Sequence, residues 1–433
     1  MKAITHREAI QASLDYIEAH LQADITAAEL AQRAGFSIYH YYRLFHTATG
    51  LPVMQYVLRR RLLHAIYAMR QGDTGIDAAL AYGFDTYAGF YKAFLREFGF
   101  APTSFLKKRR SKRPVRIDLM KEDNMHHGTA HSVLKHWHLD NEPITDFYYE
   151  SSGNKAENTL CVGDRCILKR FRDLTALQTS LALAQELKDT GVDTPTCIPT
   201  IGGQPYVQLD GWYYALQHRV AGKEMLAMDM YGEGSAQKAR FVGEIIGQLH
   251  LVLRKVQCQP READLLANVR AWALPKTKSI LHLSEQFCEE FLSTFQRLYP
   301  LLPRQVIHRD PNPGNILAGD DSWGIIDLEM AEKNARLFDP CYAATAILSE
   351  SFDPKDESRL NEWLCIFQNI LQGYDSVVTL TPEEKEATPY MILANQLVCV
   401  AWFADQPQYP ELNETNRQMT RWLIQHFDEL NIL

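Results

Sequence analysis

Apolar positions recur at helical spacing near the start of the chain. Ile25, Leu30, Ala31 and Ala34 form one stripe, and Thr26-Ala-Ala-Glu29 at its head has the residue types of a capping box, in which threonine and glutamate each satisfy a free helix-end amide. Gly35 permits a tight turn, Ser37 can cap a second helix, and that helix runs through Tyr41, Tyr42 and Phe45. Residues 37–46 thus read as the second helix of a helix-turn-helix. The pattern then repeats. "ELAQRAGFSIYHYYRLFHTATG" is echoed by "AALAYGFDTYAGFYKAFLREFG", with Gly83-Phe84-Asp85 in place of Gly35-Phe36-Ser37 and Phe94 in place of Phe45. Between the copies, "VMQYVLRRRLLHAIYAMR" keeps helical periodicity and would join them as a rod. Tyr42, Phe45, Phe90 and Phe94 are expected in the core.

Further along, the pattern turns to short strands. "LKHWHL" (134–139) alternates and reads as a strand with His136 and His138 on one solvated face. "ESSGNKAENTLCVGDRCILKRF" reads as two strands around a turn-rich segment, "LTALQTSLALAQELKD" as a helix, and "WYYALQHRVAGKEM" as an apolar strand ending at Gln217, His218 and Arg219. Residues 114–132 lack periodicity and read as a linker.

Composition sharpens this division. The chain of 433 residues exceeds what one core usually organises. Residues 1–113 hold 16 lysines and arginines against 9 acids, whereas the rest holds 29 against 44. A basic front suits a polyanion, and an acidic back suits a cation. The eight cysteines all lie beyond residue 160 without a C-x-x-C spacing, which argues against a zinc ribbon or a thioredoxin-type site. No signal peptide or bilayer-spanning run is present, so a soluble cytoplasmic protein with no membrane partner is expected. His126, His127, His131, His136 and His138 crowd one region, but no cysteine or acid at a matching spacing supports metal binding there. The run "KKRRSKR" (107–113) reads as a solvated exit from the last helix of the front domain.

The candidate chemistry lies in "VIHRDPNPGNILAGDDSWGIIDLE". Phosphoryl transfer needs nucleotide phosphates held, magnesium placed and an attacking hydroxyl oriented. Asp310 can accept the hydroxyl proton, Asn315 and Asp327 can hold magnesium, and His308 can brace the loop.

Two resemblances follow from these residues. "LAQRAGFSIYHYYRLF", "GLPVMQYVLRRRL" and "ALAYGFDTYAGFYKAFLREFGFAP" resemble the AraC/XylS family of transcription regulators over about residues 8–110. That family implies two helix-turn-helix units entering neighbouring major grooves of double-stranded DNA. Carried over, the contacts fall to Ser37, Ile38, Tyr39, His40 and Arg43, and to Asp85, Thr86, Tyr87 and Lys92, with RNA polymerase a candidate partner. "IGQLHLVL", "HRDPNPGNIL" and "IIDLEMA" resemble the aminoglycoside phosphotransferase and choline kinase group over about residues 133–433. This implies ATP or GTP with Mg2+, phosphates under Ser152, Gly153 and Asn154, a phosphate-pairing Lys169, and adenine against the backbone of Gln217, His218 and Arg219. It also implies an acid opposite Lys169, where this chain has Gln178 or Ser180; Glu186 falls too far along.

The expected fold class is multidomain. An all-α double helix-turn-helix DNA-binding domain (1–113) and a linker (114–132) precede an α+β two-lobed kinase-like domain (133–433), with an N-lobe over about 133–220 and a C-lobe over about 221–433. Two functions are open: a transcription regulator whose kinase-like domain binds nucleotide and a small molecule, or chiefly a phosphotransferase for a hydroxylated amine that controls its own gene.

Overall fold

The computed structural model describes residues 6–431 other than 50, 99–100, 109–113, 115–118, 120–124, 126, 149–154, 320–321 and 407–408. It divides into two compact units, Met1–Leu174 with Cys197–Arg219, and Thr175–Thr196 with Val220–Leu433.

The first unit opens with seven helices: α1 (His6–Ala19), α2 (Ala27–Arg33), α3 (Ile38–Thr49), α4 (Val53–Gln71), α5 (Gly75–Ala81), α6 (Tyr87–Phe98) and α7 (Pro102–Lys108). The duplicated turn falls at Gly35 and Gly83, whose φ angles of +74° and +80° are left-handed values that suit glycine. Thr26 caps α2 through the Glu29 amide, but the Glu29 carboxylate accepts from the Tyr16 hydroxyl at 2.7 Å, so the expected box shows its threonine half. Helix α4 serves two cores. Its Val53, Tyr56 and Val57 join Leu14, Leu30 and Phe45, while its Leu62, Ala65 and Ile66 join Ala78, Phe90 and Phe94. Tyr42 is exposed and its neighbour Tyr41 is buried in its place, because the α3 face turned inward is one residue out of phase with the expectation.

The same unit contains the sheet. Strands β1 (Ile144–Tyr148), β2 (Lys155–Val162), β3 (Cys166–Phe171), β4 (Cys197–Ile198), β5 (Val207–Leu209) and β6 (Trp212–His218) pair antiparallel in the order β1-β2-β3-β6-β4, with β5 also on β6. The stretch read as the strand "LKHWHL" is instead the end of helix α8 (His127–Leu134) and a 3-10 turn (Lys135–Trp137). Val133, Leu134 and Trp137 are buried against the sheet, a helical spacing that overrides the apparent alternation. His136 and His138 are solvent-exposed as expected. The segment read as a linker is tied down at two points, and from His127 onward it is helix α8 instead. Leu119 is buried with the first helix-turn-helix core and its N–H donates to Gln11 Oε1 at 2.5 Å, while the Met125 N–H donates to the Glu157 carbonyl at 2.9 Å. His126 and the charge run from Arg109 onward lie outside the described residues.

The second unit carries α9 (Leu174–Asp189), β7 (Lys223–Glu224), α10 (Ser235–Leu253), α11 (Leu265–Asn268), α12 (Leu274–Leu281) and α13 (Glu285–Leu298). Short strands β8 (Arg304–Ile307), β9 (Ile316–Ala318), β10 (Trp323–Ile325) and β11 (Glu332–Ala335) follow, and α14 (Phe338–Ser351), α15 (Glu357–Val377), α16 (Pro382–Phe403) and α17 (Pro410–Gln425) close it. Helices α10 and α15 approach so closely that a Cβ on Gly243 would stand 2.0 Å from the Ile370 carbonyl oxygen, and one on Gly373 would stand 2.1 Å from that of Arg240.

Glu18 ties α1 to the α4 rod. Its carboxylate meets Arg60 Nε at 2.5 Å and Nη2 at 2.9 Å, and His64 Nε2 at 3.2 Å. Burial pushes its pKa up, but hydrogen bonds and charge from His64 and Arg60 outweigh burial and leave it below the usual 4.5. A lowered folded pKa gives stability that is complete above the free carboxyl value and is lost as pH falls through the folded one. Glu18→Gln should therefore lower the thermal midpoint near neutral pH, with the difference from the parent shrinking as pH drops below about 4.5. An equal difference at both ends of a pH series of thermal melts would contradict this pairing.

Candidate active site and nucleic-acid interface

On the front domain, Ser37, Ile38, Tyr39 and Arg43 are exposed along α3, and His40 is half-buried. Tyr39 is 81% exposed. In the second copy Asp85, Thr86 and Lys92 are exposed and Tyr87 is half-buried. Several of these have local work. The Ser37 hydroxyl accepts the His40 N–H at 3.4 Å, the Thr86 hydroxyl accepts the Gly89 N–H at 3.0 Å, and Arg43 Nη2 lies 3.2 Å from His40 Nδ1. The expectation overlooked Tyr91 and Leu95, both exposed on α6 beside the buried Phe90 and Phe94. Their signal was the single bulky residue directly after each core aromatic, Tyr91 after Phe90 and Leu95 after Phe94.

Within the sheet, Lys169 lies on β3 between Thr159 of β2 and Ala215 of β6, and is half-buried. Gln217 is buried between Ile167 of β3 and Cys197 of β4. His218 pairs with Cys166, and the Arg219 N–H already donates to the Arg165 carbonyl, so that donor is not free for a base. Ser152, Gly153 and Asn154 lie outside the described residues. In the other unit, Glu186 of α9 accepts the backbone N–H groups of Gln257 at 2.5 Å and Cys258 at 2.9 Å.

The second unit ties together the residues expected to carry phosphotransfer through one backbone unit, Ile326. Its N–H donates to the Asn315 carbonyl at 3.0 Å, and its carbonyl lies 2.9 Å from His308 Nε2. The Asp310 N–H donates to His308 Nδ1 at 3.3 Å. His308 is therefore a strut with both ring nitrogens engaged, and the residue after Ile326 is Asp327. Around Asp310, Asn312 Nδ2 donates to Oδ1 at 2.9 Å, and Asn315 Nδ2 donates to the Asp310 carbonyl at 2.9 Å and to Oδ2 at 3.3 Å. The Tyr342 hydroxyl adds a further hydrogen bond. Burial pushes the Asp310 carboxyl above the ordinary range and the charge on Asp327 adds to this, against the pull of Asn312, His308 and Tyr342. The Asn315 amide oxygen accepts no hydrogen bond among the described residues, which leaves it open as a hard oxygen donor of the kind magnesium takes.

One residue that sequence reasoning missed holds this loop in place. Asp339, at the start of α14, is fully buried. Its Oδ2 accepts the His308 N–H at 2.8 Å, its Oδ1 accepts the Arg309 N–H at 3.0 Å, and His250 Nε2 of α10 lies 2.9 Å from Oδ2. His250 Nδ1 in turn lies 2.8 Å from the Tyr374 hydroxyl. Arg309 takes φ +77° and Asp327 φ +68°, left-handed values that cost non-glycine residues energy unless their surroundings hold them. Arg309 is held further by Glu332, whose Oε1 stands 2.9 Å from Nε, close enough for an ion pair although the N–H is not aimed for a hydrogen bond. The available signals were the Asp-Pro that opens α14 and the histidine of "IGQLHLVL".

Comparison with known proteins agrees with both halves. Residues 30–108 match a helix-turn-helix domain family, and residues 151–377, more than half of the chain, match the phosphotransferase enzyme family. The chain belongs to the phosphotransferase enzyme family and carries an AraC-type helix-turn-helix domain ahead of it. It is 25% identical over 235 residues to YbfP of Bacillus subtilis, an uncharacterized HTH-type transcriptional regulator, across 49% of this chain and 78% of that one. It is 28% identical over 103 residues to the regulatory protein SoxS of Salmonella typhimurium, across 24% of this chain and 96% of that one. A solved microcompartment-associated aminopropanol kinase shares the fold at a TM-score of 0.53 and 16% identity, across 71% of this chain and 99% of its own. Among the described residues, no helix is long and apolar enough to cross a membrane.

Asp339→Ala removes the acceptor of two backbone N–H groups and of His250. Each buried donor left without a partner costs about 1–3 kcal/mol, so the unfolding free energy of this unit should fall by about 3 kcal/mol or more. Denaturant titration followed by circular dichroism measures it, and a loss below about 1 kcal/mol would show that the loop has another anchor.

Proposed function

We propose that the chain is a sequence-specific DNA-binding transcription regulator whose kinase-type domain binds ATP or GTP with Mg2+ and transfers the γ-phosphoryl group to a hydroxyl of a small molecule. The observation that carries this reading is that Asn315 and His308 both bond Ile326, which precedes Asp327, and both bond Asp310. Asp310 would take the proton of the acceptor hydroxyl as its oxygen attacks the γ-phosphorus and the bond to the nucleoside diphosphate breaks. A carboxyl raised by burial is a better proton acceptor than an ordinary aspartate, and Asn312, Asn315 and Tyr342 fix its orientation. Magnesium, held by Asn315 and Asp327, would neutralise phosphate charge. Lys169 would pair with nucleotide phosphates.

A cationic acceptor, such as an amino alcohol or an aminoglycoside, is supported by the 15 acids against 6 bases in residues 334–433. Asp339 and Glu384 are spent on buried partners, and Asp356, Asp375, Glu386 and Asp405 are in ion pairs, so the field would come from the other acids. On the DNA side, the exposed faces of α3 and α6 would read successive major-groove segments, with Ser37 and Thr86 acting chiefly as helix caps. This work belongs in the cytoplasm, where RNA polymerase is the protein partner a DNA-bound regulator would meet.

Calorimetry on the intact chain tests the nucleotide site. Asp327→Ala should abolish magnesium-dependent ATP binding and leave duplex binding unchanged, while Asp310→Asn should leave nucleotide binding in place. Unchanged Mg·ATP affinity in Asp327→Ala would remove Asp327 from the metal site and the reading with it.

A further inference from the structure

Among the described residues, the end of β1 is a place where the first unit joins α3 and α6 to its sheet. Arg59 of α4 sets Nη1 2.8 Å from Glu97 Oε1 of α6, and its guanidinium carbon lies 3.6 Å from the centre of the Tyr148 ring. Both ion-pair side chains are largely buried, at 13% and 14% exposure. Tyr148 is the last residue of β1. Two residues earlier, Asp146 Oδ1 lies 2.9 Å from His127 Nε2 of α8, with both side chains almost wholly buried, and α8 packs against α3. Each reading helix is therefore attached to the same short stretch of strand, α6 through Glu97, Arg59 and Tyr148, and α3 through α8, His127 and Asp146.

That stretch is where the ladder is irregular. Asp146 pairs with Leu160, yet Tyr148 pairs with Lys155, so β2 runs well ahead of β1 between them. Beside this slip stands Thr159, whose partner on β3 is Lys169, and within it the Glu157 carbonyl accepts the Met125 N–H at the end of the interdomain segment. A ladder irregularity is a natural place for a strand to take a second register or twist. Arg59 supplies a further sign of an incompletely satisfied joint, because its Nε is buried with no hydrogen-bond partner among the described residues.

We propose that the end of β1 is a coupling joint through which nucleotide phosphates held at Lys169 bias the setting of α3 and α6, and so the affinity for DNA. This rests on the nucleotide-binding reading above. Phosphate at Lys169 acts on β3 and its partner Thr159, the slip passes the change to Asp146 and Tyr148, and the buried pairs pass it to the two helices. Coupling between two binding equilibria is reciprocal, so bound DNA must alter nucleotide affinity by the same factor.

The test uses the intact chain and a duplex that it selects from a random library. Anisotropy gives the duplex affinity with and without Mg·ATP, and calorimetry gives the Mg·ATP affinity with and without duplex. In the parent, Mg·ATP should change duplex affinity by about fivefold or more, and duplex should change Mg·ATP affinity by an equal factor. Tyr148→Leu should bring both factors to about one while each ligand still binds alone, and Tyr148→Phe, which keeps the ring over Arg59, should preserve them. Arg59→Lys keeps the charge opposite Glu97 and loses the planar stack, so it should weaken the coupling even if Tyr148→Leu fails to fold. Parent protein that binds both ligands with a factor of one overturns the joint, as does a factor that survives Tyr148→Leu or Arg59→Lys. Parent protein that binds duplex but no Mg·ATP overturns the nucleotide reading, and the joint with it.

Discussion

The arrangement of the candidate active site depends on one buried carboxylate. Asp339 receives two successive backbone N–H groups, those of His308 and Arg309, and a histidine from α10. A buried carboxylate is costly unless its oxygens are occupied, and here they are. In return it fixes the exit of β8, where Arg309 must adopt a left-handed backbone for Asp310 to turn back towards Asn315. His308 then braces the opposite side through Ile326, which precedes Asp327. The candidate constellation thus follows from a chain of backbone constraints. The side chains that would do chemistry come last in that order.

The front domain is organised by a different constraint, the sharing of α4 between two cores. One end of the helix packs with Phe45 and the other with Phe94, so α3 and α6 are seated on the same rod. The paired left-handed glycines stand in the turns that lead to these two helices. Glu18 and Arg60 secure the rod to α1, and Arg59, its neighbour in sequence, faces α6 and the sheet. Adjacent arginines thus face different partners, Arg60 towards α1 and Arg59 towards α6 and β1.

Much of this was legible in the sequence because its determinants are local. A threonine cap, a turn glycine and an aromatic at fixed offsets define a helix-turn-helix within about twenty residues, and the duplication makes chance an inadequate explanation. The loop from His308 to Asp327 is nearly as local, and its residues do converge. What escaped notice depends on long-range partners or on helical phase. Asp339 meets the loop only through the fold, and Tyr148 meets Arg59 across the interdomain segment. Tyr41 and Tyr42 differ by one step of helical rotation, and that step decided which was buried. "LKHWHL" misled because six residues are too few to separate a period of two from one of 3.6 when tryptophan and leucine fall at i and i+3.

The central claim is that a domain of this family, carried on an AraC-type DNA reader, performs phosphoryl transfer. Incubation of the intact chain with magnesium and ATP or GTP labelled at the γ-phosphate, across a panel of aminoglycosides, choline analogues and amino sugars, tests it most directly. The account predicts labelled product with at least one hydroxylated amine. Absence of transfer to every acceptor, from a protein that binds the magnesium nucleotide in the same assay, would contradict it.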